Sequence, residues 1–393
     1  MAGTPESFDI VVIGAGPVGL SFATSLAQSQ LKVAVVEQQS LESLENPAFD
    51  GREIALTHAS IRILQKLGAW DAIPAQDRSP LQRARVLNGS SPFALCFDSP
   101  RVSREPLGVL VSNCRIRDAL FKVIRLHDHA QLLCGNSVVD ATNGDRGAAI
   151  TLSDGRQLTA RLLVAADSRL SATRDLLGIG ADINRLGVSM LICRVRHERA
   201  HHQVAVEWFD HDQTIAMLPL TEGVSSLLVT LRSNEANRLL ALDDDPFLME
   251  LTNRCGGRLG KMTLASTRHA YPLVTTWAHR FWAPSAALIG DAAIGMHPVT
   301  ALGFNIGLSG QKQLARRILT ACRGRRDIAD PDMLQRYQSG LRLSAAPLYH
   351  ATNILVGLYS GEHPAARLAR HAGLRLAQYL PFVRHGISAM LRR

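Results

Sequence analysis

The first forty residues alternate between apolar runs and glycine-containing or polar breaks. Residues 8–13 are apolar and rich in β-branched side chains apart from one aspartate, which is typical of a strand buried on both faces. Residues 17–29 then predict a helix, and residues 32–36 predict a second buried strand. The order strand, glycine turn, helix, strand predicts two parallel strands joined by a helix.

The glycine turn has the spacing of a phosphate-binding loop. Gly14, Gly16 and Gly19 give the pattern G-x-G-x-x-G. The first glycine allows a tight turn, the second lets the backbone approach a pyrophosphate, and the third lets the helix pack against the strand. Glu37 follows the second strand, where a carboxylate accepts the ribose hydroxyls and disfavours a 2′-phosphate. The pattern predicts an adenosine diphosphate from FAD or NAD, and a merely tight strand–helix turn is the structural alternative.

A second strand–loop–helix pattern begins near residue 286. Residues 286–289 predict a short buried strand that ends at Gly290 and Asp291, and a loop with Pro298 and Gly303 leads into a helix near Asn305. A buried strand that delivers an aspartate in front of another helix N-terminus predicts a second anion or sugar site. NAD enzymes do not need such a site, whereas the ribityl chain and ring of FAD extend past the pyrophosphate. The pattern therefore favours FAD.

The middle of the chain carries successive strand-like runs. Apolar and β-branched runs at roughly ten-residue spacing predict an antiparallel sheet, and they occupy residues 186–196, 202–209, 213–220 and 225–233. Gly178 and Gly180 lack a preceding strand and a third glycine, so they form no second dinucleotide fingerprint. The chain therefore predicts one dinucleotide site and a separate sheet.

Composition and charge narrow the class of partner. The chain has 393 residues, 46% of them hydrophobic, and a formal net charge of +9. Residues 312–393 hold 14 Lys and Arg against four Asp and Glu, so the excess lies in the last part of the chain. This distribution fits a membrane surface or an acidic partner, and no motif supports a nucleic-acid partner. The six cysteines form no C-x-x-C pair and the histidines complete no ligand set, so no metal site is predicted.

Three motifs, in order, resemble those of the flavoprotein aromatic hydroxylases, the para-hydroxybenzoate hydroxylase-like superfamily. The first is the glycine loop Gly14-Ala15-Gly16-Pro17-Val18-Gly19 with Glu37. The second is Ala166-Asp167-Ser168-Arg169 with Ser171 and Arg174. The third is Gly290-Asp291-Ala292-Ala293, followed by His297-Pro298 and Gly303-Phe304-Asn305. Within that superfamily, residues 8–360 are most similar to the FAD-dependent hydroxylases of ubiquinone biosynthesis.

The resemblance implies a role in FAD binding for each matching residue. It places the pyrophosphate on the glycine loop, the adenosine ribose on Glu37 and the ribityl chain on Asp291. Arg52 would lie near the flavin and its phosphates, Arg117 against the ribityl-phosphate region, and Val138, on a strand around residues 132–139, beside the adenine. The segment 298–305 would line the flavin ring. The implied cofactor-binding residues are Gly14, Ala15, Gly16, Pro17, Val18, Gly19, Glu37, Arg52, Arg117, Val138, Asp167, Gly290, Asp291, Pro298, Gly303, Phe304 and Asn305.

The resemblance also implies an interleaved architecture. The expected fold class is α/β, with a Rossmann-like FAD-binding domain interleaved with an antiparallel-sheet substrate domain and followed by C-terminal helices. The FAD-binding domain would take residues 1–75, 100–180 and 280–325, the substrate sheet residues 76–99 and 181–279, and the C-terminal helical region residues 331–393. The sheet would cover the flavin and shape an apolar, water-excluding substrate pocket.

The implied activity is hydroxylation of the aromatic ring of a polyprenylated phenol in ubiquinone biosynthesis, through a flavin C4a-hydroperoxide. NAD(P)H would bind transiently as the electron donor, and O₂ would be the second substrate. Hydroxylation of a small soluble aromatic and a non-catalytic FAD- or lipid-binding accessory role are the alternatives. The substitution of Ala301-Leu302 for the usual Gly-Gln before Gly303 keeps them open.

His297 is the candidate catalytic base because its neighbour Pro298 is expected beside the flavin, and a histidine that merely orders the loop is the alternative. The basic C-terminal helices are expected to meet an anionic membrane surface or other ubiquinone-biosynthesis proteins. The chain has no targeting signal and no apolar stretch of about 18 residues. We therefore expect a cytoplasmic protein, with peripheral binding at the inner face of the membrane as a further expectation.

Overall fold

A computed structural model of the protein describes residues 5–91, 94–98, 105–210 and 213–360. The described strands are β1 (Glu6–Ile13), β2 (Val33–Glu37), β3 (Glu53–Leu56), β4 (Ser79–Leu81), β5 (Arg83–Asn88), β6 (Ala94–Asp98), β7 (Gly108–Ser112), β8 (Ala130–Cys134), β9 (Val138–Gly144), β10 (Gly147–Leu152), β11 (Gln157–Ala165), β12 (Ala181–His197), β13 (Val204–Asp210), β14 (Gln213–Pro219), β15 (Val224–Arg232), β16 (Met262–Leu264), β17 (His269–Ala278), β18 (Trp282–Ala283), β19 (Ala286–Leu288) and β20 (Ile294–Gly295).

The described α-helices are α1 (Pro17–Ser25), α2 (Leu41–Glu45), α3 (His58–Lys66), α4 (Ala69–Ala72), α5 (Asn113–Ile124), α6 (Ala172–Leu176), α7 (Ser233–Leu240), α8 (Asp244–Arg254), α9 (Gly303–Arg323) and α10 (Pro331–Ser360). Short 3₁₀ turns lie at Ala75–Asp77, Gly290–Ala292 and Pro298–Thr300. The strands form three sheets, and two of these are large.

The first large sheet has a parallel core that brings several loops to one edge. Its strand order is β18-β19-β11-β1-β2-β8, with β10 paired to β11 and β9. β1 pairs in parallel with β2 on one side and with β11 on the other, and β19 extends the parallel pairing from β11. The carboxyl ends of these strands deliver Gly14, Glu37, Ala166 and Gly290 to the same edge. Open α/β sheets bind their ligands at this edge, where the strand order reverses.

The second large sheet is mainly antiparallel, with the order β20-β17-β12-β15-β14-β13-β5-β6 and β16 on β12. Side chains alternate between its two faces. The outer face, which includes Leu191 and Leu227, packs against Leu239 of α7 and Phe247 of α8 in one buried cluster. The inner face carries the residues that alternate with these along the strands, such as Ile192, and it lies on the side opposite α7 and α8.

A three-stranded sheet, β3-β7-β4, is joined to the inner face by a buried ion pair. The Glu53 carboxylate on β3 accepts hydrogen bonds from Nη2 and Nε of Arg194 on β12, at 2.5 and 2.8 Å. The Glu53 side chain is 1% exposed, and burial raises its pKa to about 7 although the Arg194 charge opposes the shift. A buried carboxyl without a partner is costly, so this contact fixes β3 against β12.

The long helix α10 closes the first sheet on its β19 side. The hydroxyl of Tyr337 donates a hydrogen bond to the carbonyl oxygen of Leu288 at 2.8 Å, and burial raises the pKa of this hydroxyl well above its usual value. The Gln338 side chain accepts a hydrogen bond from the amide of Phe281 at 2.7 Å. These contacts anchor the start of α10 to the strands that lead into the Gly290 turn.

The α/β class and the interleaving of the two large sheets agree with the prediction, whereas several boundaries were wrong. The helix predicted at residues 17–29 ends at Ser25, and the strand predicted around residues 132–139 is two strands, β8 and β9. The turn between them needs Gly135 at a φ of +71°, a break that the apolar pattern does not reveal. The helices α7 and α8 lie inside the region predicted as sheet.

The domain boundaries themselves stay a prediction. The strand β20 lies in the range predicted for the FAD-binding domain, but it pairs with β17 of the second sheet. The helical region predicted at residues 331–393 is described to Ser360, where α10 ends, and residues 361–393 lie outside the described residues. Within the described ranges, no helix is long and apolar enough to cross a membrane.

Candidate active site

The glycine loop after β1 is shaped by two close backbone contacts. Gly14 has a φ of +105°, and a Cβ there would lie 2.7 Å from the carbonyl oxygen of Ala166. A Cβ on Gly19 would lie 2.0 Å from the carbonyl oxygen of Gly14. A Cβ on Gly16, by contrast, would meet nothing within 4 Å. The fold therefore requires Gly14 and Gly19, whereas Gly16 faces open space at the start of α1, where a pyrophosphate fits.

Glu37 lies beside this loop. Its carboxylate accepts hydrogen bonds from the amide of Ala15 at 2.7 Å and from the amide of Gln39 at 2.9 Å. The helix α1 begins at Pro17, and its N-cap residue, Gly16, has no side chain that could cap the free amides of the first turn. The uncapped helix N-terminus favours an anion, and the neighbouring carboxylate offers acceptors to ribose hydroxyls.

The third motif packs directly onto the first. Gly290 has a φ of +60°, and a Cβ on it would lie 3.2 Å from Val18 Cγ1. A Cβ on Gly307, in α9, would lie 2.9 Å from Val18 Cγ2. The helix α9 begins at Gly303 without a side-chain cap. The first turns of α1 and α9, neither of which has a side-chain cap, therefore meet around Val18, and a helix N-terminus favours an anion.

The second motif contributes backbone to the same junction. A Cβ on Gly14 would lie 3.0 Å from Cα of Asp167. The Asp167 carboxylate is engaged in its own turn, because it accepts hydrogen bonds from the Ser171 hydroxyl at 2.6 Å and from the Thr173 amide at 3.2 Å. Asp167 thus contacts the glycine loop through its main chain, while its side chain stabilises its own turn.

Two arginines join the second motif to the third. Arg169 donates from Nη2 and Nε to Asp291 Oδ2 at 2.7 and 3.1 Å, and from Nη1 to the carbonyl oxygen of Val274 on β17 at 3.0 Å. The Arg174 side chain is 0% exposed and donates to the carbonyl oxygens of Arg169 and Ala292 at 3.1 and 3.3 Å. These bonds fix the direction of the Asp291 carboxylate at the start of the loop that leads to α9.

The loop before α9 is held by Asn305. Its Nδ2 donates to the carbonyl oxygens of Ala55 and Ala301, both at 2.9 Å, and its Oδ1 accepts from the amide of Thr57 at 3.0 Å. Ala301 has a φ of +52°, a left-handed conformation that costs about 1–2 kcal/mol for a residue with a Cβ. Phe304 packs against the main core. The Asn305 amide is thus fully used in securing a strained loop to β3.

His297 precedes the 3₁₀ turn Pro298–Thr300 and is 7% exposed. Its Nδ1 accepts a hydrogen bond from the amide of Val299 at 3.2 Å. Burial, together with the nearby positive charge of Arg169, lowers its pKa to about 4. The neutral ring carries its single proton on Nε2, which leaves no free nitrogen lone pair to act as a base. The geometry favours the loop-ordering role, and the catalytic role stays a prediction.

Arg52 lies where the loop before β3 meets the second sheet. Its Nη2 and Nε donate to Asp50 Oδ2 at 2.6 and 3.0 Å, and Asn113 donates to the same oxygen at 2.7 Å. Burial acts to raise the pKa of Asp50, but the Arg52 charge and these hydrogen bonds outweigh it and lower the pKa. The hydroxyl of Tyr271, on β17, donates to the carbonyl oxygen of Asp50 at 2.8 Å.

The other two predicted residues lie near Glu37. Arg117, on α5, donates to the side-chain oxygen of Gln39 at 2.6 Å. The amide of Asn136 donates to the carbonyl oxygen of Glu37 at 3.0 Å, which brings the turn before Val138 to the same place. Val138 is half-buried against the main core. Arg117 and Val138 therefore both lie at the end of the site marked by Glu37.

Sequence reasoning did not single out Arg169 and Arg174 as site residues. Both appear in the second motif, but Arg169 and Asp291 are 122 positions apart, so no local spacing reveals their pairing. In the sequence, the only indication of a special role for Arg174 was that a charged residue stands within this motif. It stands three residues after the helix cap Ser171, on a short helix whose buried residues are Thr173 and Arg174.

Comparison with known proteins assigns the chain to a family. Residues 7–351 match the family described as FAD binding domain. The ubiquinone hydroxylase UbiM of Neisseria meningitidis is 43% identical over 387 residues, which are 98% of this chain and 84% of that protein. The ubiquinone hydroxylase UbiL of Rhodospirillum rubrum is 33% identical over 387 residues, 97% of this chain and 90% of that protein.

A solved structure agrees in fold. PqsL of Pseudomonas aeruginosa, a probable FAD-dependent monooxygenase, superposes with a TM-score of 0.76 at 21% identity, over 94% of this chain and 99% of that one. Fold and site thus define an FAD-binding flavoprotein of the monooxygenase class. The chain belongs to the FAD binding domain family, together with the ubiquinone hydroxylases UbiM and UbiL. The family, the cofactor and the enzyme class predicted from the sequence are confirmed.

Two alanine substitutions in the glycine loop separate cofactor binding from folding. Gly16→Ala places its methyl in the open space in front of α1, so we expect normal stability but an FAD affinity at least about tenfold weaker. Gly19→Ala forces a Cβ against the carbonyl oxygen of Gly14, so we expect a loss of about 2 kcal/mol or more in unfolding free energy. Urea unfolding of the apoprotein and FAD titration measure both. Equal FAD affinity in Gly16→Ala and the wild type would contradict this account.

Proposed function

We propose that this chain hydroxylates the aromatic ring of a prenylated phenol in ubiquinone biosynthesis, with FAD as bound cofactor and NAD(P)H as a transient electron donor. The observation that carries the proposal is the 43% identity to a ubiquinone hydroxylase over 98% of this chain. A second ubiquinone hydroxylase is 33% identical over a similar length. The inner face of the second sheet supports an apolar substrate, because Met190, Ile192 and Leu273 form a cluster there.

In this proposal the three motifs hold FAD along the edge of the first sheet. The amides at the start of α1 bind the pyrophosphate in the space that Gly16 leaves open, and Glu37 accepts the adenosine ribose hydroxyls. Asp291, oriented by Arg169, binds the ribityl chain. The loop from Pro298 to Asn305 and the N-terminus of α9 line the flavin ring, and Arg52 faces it from the opposite side.

The remaining chemistry divides between the cofactor and the protein. Bound FAD supplies the reduction of O₂ by NAD(P)H electrons. The inner face of the second sheet covers the reaction site and excludes water. His297 enters as a residue that orders the loop through the Val299 amide. For His297 to act as a catalytic base, its Nδ1 would have to give up the hydrogen bond from the Val299 amide.

The proposal is tested on the purified full-length protein. We expect bound FAD, and NADH or NADPH oxidation that accelerates when 2-prenylphenol is added. The product should carry one oxygen atom from isotopically labelled O₂. Acceleration by p-hydroxybenzoate but not by 2-prenylphenol would support a hydroxylase of small soluble aromatics instead. Bound FAD that no nicotinamide donor reduces would point to the non-catalytic accessory role, and either result would overturn the proposal.

We further propose that the C-terminal region attaches the protein to an anionic membrane surface. The described part of α10 exposes apolar side chains, with Leu343 82% and Ile354 64% exposed. The basic segment that follows, residues 361–393, lies outside the described residues. Apolar and cationic side chains together favour an anionic interface over a neutral one.

Deletion of residues 364–393 should release the protein from vesicles that contain anionic lipid, because it removes six of the 14 Lys and Arg in residues 312–393 together with the apolar side chains between them. FAD content should not change, since the FAD site ends before α10. Co-sedimentation with phosphatidylglycerol-containing and pure phosphatidylcholine vesicles measures the effect. Undiminished sedimentation of the deletion variant with anionic vesicles would refute this part of the proposal.

A further inference from the structure

The inner face of the second sheet carries a carboxyl group that neither the fold nor the proposed FAD site uses. Glu207 stands on β13 between Val206 and Trp208, which pack on the outer-face core. Side chains alternate along a strand, so Glu207 lies on the inner face with Ala205, which belongs to a different cluster. Within the described ranges its carboxyl makes no hydrogen bond or ion pair.

The register of the sheet connects Glu207 to the proposed flavin site. Glu207 pairs with Ala216, Ala216 with Leu228, and Leu228 with Ile192. These four residues form one row across the inner face, which spans three strand spacings or about 14 Å. At the far end, a Cβ on Gly51 would lie 3.3 Å from Ile192 Cγ2. The row therefore runs from the loop that holds Arg52 to Glu207, a length that accommodates an aromatic ring and its first substituent.

The row has the composition of a ligand pocket. Its other members are apolar, and the neighbouring row contains Ser226, which is 0% exposed and whose hydroxyl has no partner in the described part of the chain. Glu207 and Leu228 are half-buried, so this face is only partly covered. Ligand pockets are mostly apolar with a few convergent polar groups, and unpartnered buried polar groups require an explanation.

The protonation state of the Glu207 carboxyl suits a hydrogen bond with a phenol hydroxyl. Burial raises its pKa to about 8, so the group is mostly a neutral carboxylic acid at pH 7. A neutral acid both accepts a hydrogen bond from a hydroxyl and donates one to its oxygen, without burying a charge. A carboxylate-bearing substrate gains less at this position, because the four members of the row include no cation. Arg194, which pairs with Ser226 in the neighbouring row, is already engaged by Glu53.

We propose that Glu207 is a substrate-binding residue that hydrogen-bonds the ring hydroxyl of the aromatic substrate. The ring lies over Ala216 and Leu228, between Glu207 and the loop that holds Arg52. This inference rests on the proposed hydroxylation of a prenylated phenol and deepens it, because it names the residue that fixes the orientation of the ring above the cofactor.

The test compares two probes on the FAD-loaded full-length protein: 2-prenylphenol, and prenylbenzene, which lacks the ring oxygen. Dissociation constants are read from the change in flavin absorbance. Glu207→Leu should weaken 2-prenylphenol binding about tenfold and leave prenylbenzene binding undiminished, because only the phenol loses a hydrogen bond. Glu207→Gln, which keeps a donor and an acceptor, should stay within about threefold of the wild type for both probes.

The matched control is Glu222→Leu, the same exchange at an exposed position in the turn between β14 and β15. It should bind both probes as the wild type does. If Glu207→Leu binds 2-prenylphenol as tightly as the wild type does, or loses affinity equally for both probes, the role of Glu207 is overturned. In that case, hydroxylation of 2-prenylphenol by the wild type would still support the proposed function. A wild type that neither binds nor hydroxylates 2-prenylphenol would overturn both.

Discussion

Close approach of backbone around the glycine loop is the constraint on which the rest of the structure depends. Gly19 lies against the carbonyl of Gly14, and Val18 fits between Gly290 and Gly307. A side chain at these glycines would separate α1 from β1, or α9 from the Gly290 turn. With the glycines in place, the carboxyl ends of four parallel strands and the first turns of α1 and α9 lie close together. Three motifs that are distant in sequence thereby meet in one place, which we propose as the FAD site.

The second sheet must then be held at a fixed height above this junction. Arg169 reaches from Asp291 to the carbonyl of Val274 on β17, and Arg194 reaches from β12 to Glu53. Of these two pairs only the Glu53 carboxylate is fully buried, and leaving such a group without its partner typically costs about 3–5 kcal/mol. These directional contacts link the second and third motifs and the three-stranded sheet to the second large sheet, whereas apolar contacts have no direction.

The fold and the candidate site were predictable from the sequence where their causes are local. The turn at Gly14 and the acid at Glu37 follow from the first strand–loop–helix–strand unit. The loop before Asn305 follows from the later strand–loop–helix unit that begins near residue 286. The contacts that join those units were not predictable. Glu53 and Arg194 are 141 positions apart, and their pairing depends on how two sheets pack. The same holds for Glu207, whose place on the inner face follows from strand register.

Hydrogen–deuterium exchange during FAD titration of the apoprotein shows most directly whether the three motifs bind one cofactor. We propose that these three separate motifs form one cofactor site. One FAD per chain should slow amide exchange together in residues 14–19, 166–171 and 290–305, with a single midpoint. Protection confined to residues 14–19, or FAD binding that leaves residues 290–305 unchanged, would contradict the claim that the three motifs act as one site.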